Sequence, residues 1–275
     1  MINEKQIIWE GWEIMKSRTK LLLTIIVIVV VIIVLLVGSL LMYKHKKERQ
    51  LVKDLDKTIF NVYPIKNLED FYNIEGYKDE NFDKQDKGTW YLNSAMNIQR
   101  KGEDLKSEGM LLKINRNTKT AKGYYYISSY FTDKRGSQDS SEKRYPVKMV
   151  NNKFIITKPV HDNKVKNKIK NFKFFVQYGD FKDLKTNQYS KLGYNPNVPS
   201  YTLEYNLNNE ENNVKKLREI YNIPTNKKPK LLIEGQSSLD HARVGYKSIE
   251  FSFIKRTDET ISFTDNVNLQ PSNTN

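Results

Sequence analysis

The chain has 275 residues and a net charge of +14, with 46 lysines and arginines against 32 acidic residues. This length suits one large domain or two small ones. The basic charge favours polyanionic partners such as anionic lipids, acidic wall polymers or nucleic acid, although a merely solvated lysine-rich face explains it equally well. The chain has no cysteine, which excludes disulfides, zinc–thiolate sites, thiol catalysis and thiol-linked lipid.

Residues 21–43 form an uncharged run, almost entirely Leu, Ile and Val, that predicts a transmembrane helix. A helix of this length reaches about 35 Å, enough to cross a ~30 Å hydrocarbon core. The run is longer than the apolar core of a cleaved signal, so we predict an uncleaved signal anchor. A long cleaved signal that uses Val37 and Ser39 as its small residues is the alternative. The segment Leu36–Ser39 resembles a lipoprotein signal whose final cysteine has become serine.

The N-terminal residues 1–20 are predicted to be a cytoplasmic tail. Ile8, Trp9, Trp12 and Met15 recur there at helical spacing and suit a helix in the membrane interface, with an undocked tail as the alternative. Basic residues flank both ends of the apolar run and slightly favour a cytoplasmic C-terminal domain. That count decides little, because large domains translocate largely regardless of charge.

The charged stretch 44–62 has apolar residues at helical spacing and predicts a juxtamembrane helix that packs one face on the following domain. Pro64 is expected to end this helix. Asn67 is expected to cap a short helix over residues 68–72, whose first turn is acidic, as the helix dipole favours.

The predicted domain spans residues 63–269 and is followed by a disordered tail at 270–275. Alternating apolar residues predict strands, and apolar residues at helical spacing predict amphipathic helices. Strands are expected over 90–98, 110–114, 123–131, 145–150, 153–157, 201–207, 249–253 and 261–269, helices over 163–175 and 214–221, and a rigid loop over 194–200. A two-residue turn is expected at Asn151-Asn152, because Asn tolerates positive φ. The fold class is therefore α+β, with a single N-terminal transmembrane helix before a mainly antiparallel β-sheet with several amphipathic helices.

Lysines cover the polar faces of the predicted helix 163–175. They are typical of a solvated helix face, and alternatively of an anion-binding helix. The possible anion-binding residues are Lys164, Lys166, Lys168, Lys170 and Lys173.

The search for catalytic chemistry finds no P-loop, no dinucleotide fingerprint, no zinc-protease motif and no nucleophile elbow. Three histidines share no spacing that suggests a site: His45, His161 and His241. Asp83, Asp86 and Gly88 match only fragments of a calcium loop. We predict no catalytic residue, no metal site and no cofactor. Nucleic acid is not a predicted partner, because no such motif is present and the aromatic residues, alternating at strand spacing, are expected to face the core.

Nine strings in order resemble the staphylococcal tandem-lipoprotein family, also called the conserved staphylococcal antigen family, and cover nearly all of residues 56–269. They are YPIKNLED, DKGTW, NRNTKTAKGYY, YPVKM, NFKFFVQYGDFKD, YNPNVPSY, YNIPT, KPKLLIEG and VGYKSIEFSF. The resemblance implies an extracytoplasmic α+β domain on a Gram-positive membrane, with roles in host-cell interaction and immune stimulation and no established catalytic residues. Ser39 departs from the family, because its hydroxyl does not replace the lipid-accepting thiol.

These observations predict a membrane-anchored, surface-exposed protein that is not an enzyme. It is expected to cross the cell membrane once, with its C-terminal domain outside, and to bind an anionic wall polymer or a host-cell protein. Two alternatives stay open at this point. One is a wall-modifying hydrolase with an unrecognised carboxylate site, and the other is a membrane-tethered cytoplasmic module.

Overall fold

The computed structural model describes residues 4–55, 63–132, 136–182, 184, 189–195, 200–236 and 246–272. The chain forms two compact units that divide between Leu51 and Val52. The first is helical, and the second contains the sheet and the remaining helices.

The first unit belongs to one continuous helix, α1 (Glu4–Leu55). The predicted tail, membrane span and juxtamembrane helix therefore form one helix from Glu4 to Leu55, and residues 1–3 and 56–62 lie outside the described residues. The stretch Lys20–Gln50 contains a segment long and apolar enough to cross a membrane; a signal sequence near an N-terminus has the same properties.

The serine and threonine hydroxyl groups of the apolar run bond to the backbone of α1. Ser39 Oγ donates to the Leu36 carbonyl at 2.8 Å, and Thr24 Oγ1 donates to the Lys20 carbonyl at 2.9 Å. An unpaired hydroxyl in an apolar medium costs roughly 2 kcal/mol or more. These bonds make both polar side chains compatible with lipid.

The second unit is built on one antiparallel sheet of ten described strands. Their order across the sheet is β5-β4-β3-β2-β1-β10-β9-β8-β7-β6. The strands are β1 (Thr89–Gln99), β2 (Leu105–Asn115), β3 (Thr120–Thr132), β4 (Gln138–Val150), β5 (Lys153–Ile156), β6 (Lys191–Asn195), β7 (Ser200–Asn206), β8 (Lys230–Gln236), β9 (Tyr246–Lys255) and β10 (Thr260–Gln270). With the helices below, this sheet confirms the predicted α+β class.

In the described part of the second unit, two α-helices and two 3-10 helices accompany the sheet. They are the 3-10 helices Leu68–Tyr72 and Phe175–Gln177, and the α-helices α2 (Asn163–Asn171) and α3 (Asn212–Tyr221). The cap expected at Asn67 is present, since its side chain accepts a bond from the Glu69 NH. Asp162 caps α2 in the same way, through the NH groups of Lys164 and Val165. Asn222 ends α3 in the left-handed region, with φ of 44°.

These helices pack on one face of the sheet, which we call the helix face. Aromatic rings make the contacts: Phe71 packs on Trp90 of β1, Phe175 on Phe251 of β9, and Tyr221 on Phe263 of β10. Burial of such rings is the main source of core stability, at about 25 cal/mol per Å² of apolar surface. We call the opposite face the open face.

Helix α2 is shorter than predicted, because the chain becomes extended at Phe172 and Phe174. The extended conformation inserts Phe174 and Phe175 into the core with no exposed surface. Burial of aromatic rings therefore overrides the helical spacing that runs through residue 175.

Two further local expectations have clear outcomes. Asn151 and Asn152 form the expected two-residue turn with φ of 51° and 58°. Strand β10 extends to Gln270, one residue into the predicted tail, and the backbone NH of Ser272 donates to Asp86 Oδ2 at 2.7 Å. Residues 273–275 lie outside the described residues.

Candidate anion-binding surfaces

The sequence singles out five lysines, four on helix α2 and Lys173 two residues beyond its end, but not all of them are free to bind an anion. Lys168 Nζ contacts Glu108 Oε1 of β2 at 2.6 Å, which neutralises it. Lys166 is half-buried, and its Nζ donates to Asn163 Oδ1 at 3.4 Å. Lys164, Lys170 and Lys173 are exposed. Three exposed lysines without an acidic partner among the described residues therefore remain, two on α2 and one just after it.

The open face carries a second basic group, which we call the lysine row. Lys113 of β2 pairs in register with Lys122 of β3, and Lys122 pairs with Lys148 of β4. Adjacent strands lie ~4.8 Å apart, so the row is about 10 Å long. All three side chains are exposed, and none reaches a carboxylate within the described part of the chain.

The lysine row destabilises the protein when no ligand is bound, because the strand register sets like charges side by side. Like charges directly opposite each other on neighbouring strands are destabilising, by roughly the 0.2–1 kcal/mol that opposite charges contribute. Lys122 has such a neighbour on each side. An anion placed along the row would offset this repulsion.

Tyrosines surround the lysine row. The expectation that aromatic residues face the core holds for strand residues such as Phe251 and Phe263 but not for Tyr91 and Tyr124. Tyr91 pairs with Lys113 across β1 and β2, and Lys113 Nζ stands 5.0 Å from the centre of the Tyr91 ring. The Arg144 guanidinium stands 4.6 Å from the centre of the Tyr124 ring. Cations thus occupy faces of both rings.

The rest of the open face is more acidic. Glu204 of β7, Glu234 of β8 and Glu250 of β9 have side chains on this face. Lys230 Nζ bridges Glu204 at 3.0 Å, and Lys255 Nζ bridges Glu250 at 3.2 Å. Excess positive charge on this face is therefore concentrated on strands β2–β4.

The residues that match fragments of a calcium loop form hydrogen bonds within the protein. Asp86 Oδ1 accepts bonds from the Gly88 NH at 2.8 Å and from Asn117 Nδ2 at 2.6 Å. Together with the bond from Ser272 these lower the pKa of the Asp86 carboxyl to about 2, although partial burial opposes the shift. Both oxygens are engaged in joining two loops to the C-terminal segment. No group of three possible metal ligands occurs among the described residues.

A carboxylate-based hydrolase would need a cleft that brings acidic side chains together, and one open depression of the described surface contains two of them. Asp83, Lys84, Gln85, Asp86 and Asn117 line it. The low pKa of Asp86 makes it a poor general acid near neutrality, because it is already ionised. His45 and His161 are both exposed, and His241 lies outside the described residues.

A buried polar cluster lies on the helix face at the centre of the sheet. Its members are Tyr63, Ser94, Lys247 and Asp265, each at most 3% exposed. Burial raises the pKa of Asp265 to about 7 and lowers that of Lys247 to about 7. The cluster lies under the 3-10 helix Phe175–Gln177, so it fits a structural role better than contact with a ligand.

The sequence analysis identified the lysines of α2 but missed the lysine row. Lys113, Lys122 and Lys148 are spread over 36 positions, and only strand register brings them side by side. The hairpin of β2 and β3 was predicted, so aligning Lys113 with Lys122 across it was the signal that could have found them.

The fold and its surfaces define a protein with a membrane-type helix and a basic single-sheet domain. Comparisons with known proteins identify its family. The profile of the Csa1 family matches residues 47–272, which is most of the chain. The chain belongs to this family of staphylococcal lipoproteins.

Individual relatives are similar over the same extent. An uncharacterized lipoprotein of Staphylococcus aureus is 53% identical over 226 residues, covering 82% of this chain and 88% of the relative. Another from the same species, strain USA300, is 54% identical with the same coverage. An uncharacterized lipoprotein of Staphylococcus epidermidis is 52% identical over 229 residues, covering 83% and 88%. These names support association with the membrane.

The family match begins at residue 47, so the apolar run lies outside it. This chain has no cysteine to carry a lipid. Attachment of this chain to the membrane therefore cannot rely on a lipid-modified cysteine, which the name lipoprotein implies for the relatives.

Proposed function

We propose that this protein is a non-enzymatic surface module, which α1 tethers to the cell membrane and which binds an anionic partner outside the cell. The observation that carries the proposal is the set of exposed lysines, at and just after α2 and in the lysine row, that have no acidic partner among the described residues. Basic surfaces of this kind raise the local concentration of polyanions.

The uncleaved helix supports the tether. Ser39 cannot form the thioether that anchors a lipoprotein, and its hydroxyl bonds to the backbone of α1. A hydrophobic span of this length holds a protein far more firmly than a single acyl chain. The helix thus replaces the lipid as anchor.

The proposal is tested by binding of the full-length protein, in a nonionic detergent, to immobilised anionic polymers of three kinds. These are poly(glycerol phosphate), heparin and polyglutamate. We expect binding to at least one that falls at least tenfold between 50 mM and 300 mM salt, because lysine contacts release counterions. Absence of binding to all three, or binding that salt does not change, would overturn the electrostatic role.

A fractionation experiment tests the tether separately. The wild-type protein is expected in the membrane pellet at its full length after washing with high salt and carbonate. A shortened protein released to the medium would contradict the proposal and support a cleaved signal.

A further inference from the structure

We propose that the lysine row is the binding site for a linear polyol-phosphate polymer of the cell wall, which runs across strands β2–β4. This inference rests on the proposed function and names its site and its ligand. The row consists of Lys113, Lys122 and Lys148, aligned side by side on the open face. Its lysines lack acidic partners among the described residues, unlike Lys168, Lys230 and Lys255.

The geometry of the row suits a linear polyanion. Three cations at steps of ~5 Å form a straight line, and a flexible chain with one phosphate in each repeat can place successive charges along it. Repulsion between lysines directly opposite each other is relieved when phosphates stand between them. The alignment of the three lysines therefore lowers the stability of the free protein and favours binding of a phosphate polymer.

The neighbouring charges argue against a flat anionic membrane as the ligand. Glu204, Glu234 and Glu250 stand on the same face, on strands β7–β9. A lipid surface pressed against the whole face would meet these carboxylates, whereas a single polymer chain can follow the lysines alone. A narrow ligand fits this charge distribution better than a broad one.

The tyrosines argue against single-stranded nucleic acid. Proteins that bind it without sequence preference stack successive bases on free aromatic faces. Here Lys113 occupies a face of Tyr91, and Arg144 occupies a face of Tyr124. The Tyr126 hydroxyl is also engaged, since it donates to Asn93 Oδ1 at 3.0 Å. The surface presents cations rather than open rings.

The test compares two triple variants that remove the same charge. The first carries Lys113→Gln, Lys122→Gln and Lys148→Gln. The second, which we call the α2 variant, carries Lys164→Gln and Lys170→Gln on α2 and Lys173→Gln just after it. The full-length proteins, in a nonionic detergent, are titrated with soluble poly(glycerol phosphate) at several salt concentrations. All six lysines are exposed, so both variants should fold, and thermal unfolding checks this.

We expect the first variant to lose at least tenfold in affinity and the second less than threefold. The salt dependence of the first should also weaken by about two in log–log slope, since each phosphate contact contributes about 0.7 for a single-stranded polymer. A third variant with arginine at Lys113, Lys122 and Lys148 keeps the charge and should retain binding.

Three outcomes would overturn the inference. Equal losses in both glutamine variants would mean that net charge alone matters, and a loss confined to the α2 variant would place the site on that helix. Both leave the proposed function standing. If the row instead binds single-stranded DNA or anionic vesicles more tightly than poly(glycerol phosphate), the ligand class is wrong. Failure of the wild-type protein to bind any polyanion contradicts the proposed function itself.

Discussion

Ser94 and Asp265 face each other across β1 and β10, and the Ser94 hydroxyl donates a hydrogen bond to Asp265 Oδ1. The same hydroxyl oxygen accepts a bond from the Phe175 NH at 3.1 Å. Burial raises the pKa of the Asp265 carboxyl, and the Ser94 and Tyr63 hydroxyl groups partly oppose that rise. This cluster connects the segment after α2 to the centre of the sheet.

The first prediction concerns stability against pH. Asp265 has a pKa of about 7 in the folded protein, above its value in the unfolded chain. Between about pH 4 and 7 the folded state therefore binds more protons than the unfolded state, and the free energy of unfolding falls as pH rises. Lys247 has a folded pKa of about 7, below its unfolded value, so stability rises with pH between about 7 and 10. We expect the free energy of unfolding to pass through a minimum near pH 7.

Denaturant unfolding at a series of pH values measures this curve. Asp265→Asn should flatten the curve of unfolding free energy below pH 7, and Lys247→Met should flatten it above pH 7, because each substitution removes one titrating group. If stability instead peaks near pH 7, the two groups form a buried ion pair and the account of the cluster is wrong.

The second prediction concerns the close approach of β2 and β3. A Cβ atom on Gly123 would lie 1.9 Å from the Leu111 carbonyl oxygen, which is backbone and cannot rotate away. Gly123→Ala should therefore destabilise the domain by about 1–3 kcal/mol, as overpacking does. Gly193→Ala in β6 is the control, because its nearest neighbour would be Thr202 Cβ at 3.6 Å. Equal melting temperatures for the two variants would disprove the steric argument.

The third prediction follows from the repulsion within the lysine row. Lys122→Glu places an acid between Lys113 and Lys148 and should stabilise the free protein by roughly 0.5–2 kcal/mol, a rise of a few degrees in Tm. Lys153→Glu is the control, since Lys153 lies on the same face opposite Val150 rather than a lysine. Scans at low salt should show the rise for Lys122→Glu alone. A lower Tm for Lys122→Glu than for wild type would contradict the repulsion.

The fourth prediction concerns the residue that replaces the lipobox cysteine. Ser39→Cys should create a lipid acceptor, so that processing removes the preceding residues and adds diacylglycerol. Mass spectrometry of the membrane fraction should find a shortened, lipid-modified chain, whereas Ser39→Ala should stay at full length. If the cysteine variant carries no lipid, Leu36–Ser39 is not a degenerate lipobox.

Much of the fold could be predicted from local sequence patterns. Alternation of apolar residues located β1, β7 and β9, and two asparagines located the turn before β5. Strand β8 was missed, although Leu231 and Ile233 alternate with polar residues there. The end of α2 was also misplaced, because aromatic burial at Phe174 and Phe175 depends on the shape of the core and not on helical spacing.

The candidate site was harder to predict than the fold. Lysines on one helix are close in sequence, so the cluster on α2 was visible at once. The pairing of Glu108 with Lys168 involves residues 60 positions apart and could not be read from the sequence. The lysine row and the pair of Ser94 with Asp265 likewise depend on strand register, which long-range pairing determines.

The central claim is that α1 tethers a domain that faces the outside of the cell, and labelling of single cysteines tests it most directly. The chain has no cysteine of its own, so Lys164→Cys on α2 and Lys16→Cys in the N-terminal tail each introduce one reporter. Protoplasts are treated with a membrane-impermeant maleimide before and after lysis. The account predicts labelling of Lys164→Cys in intact protoplasts and of Lys16→Cys only after lysis. Labelling of Lys164→Cys only after lysis would place the domain in the cytoplasm and contradict the account.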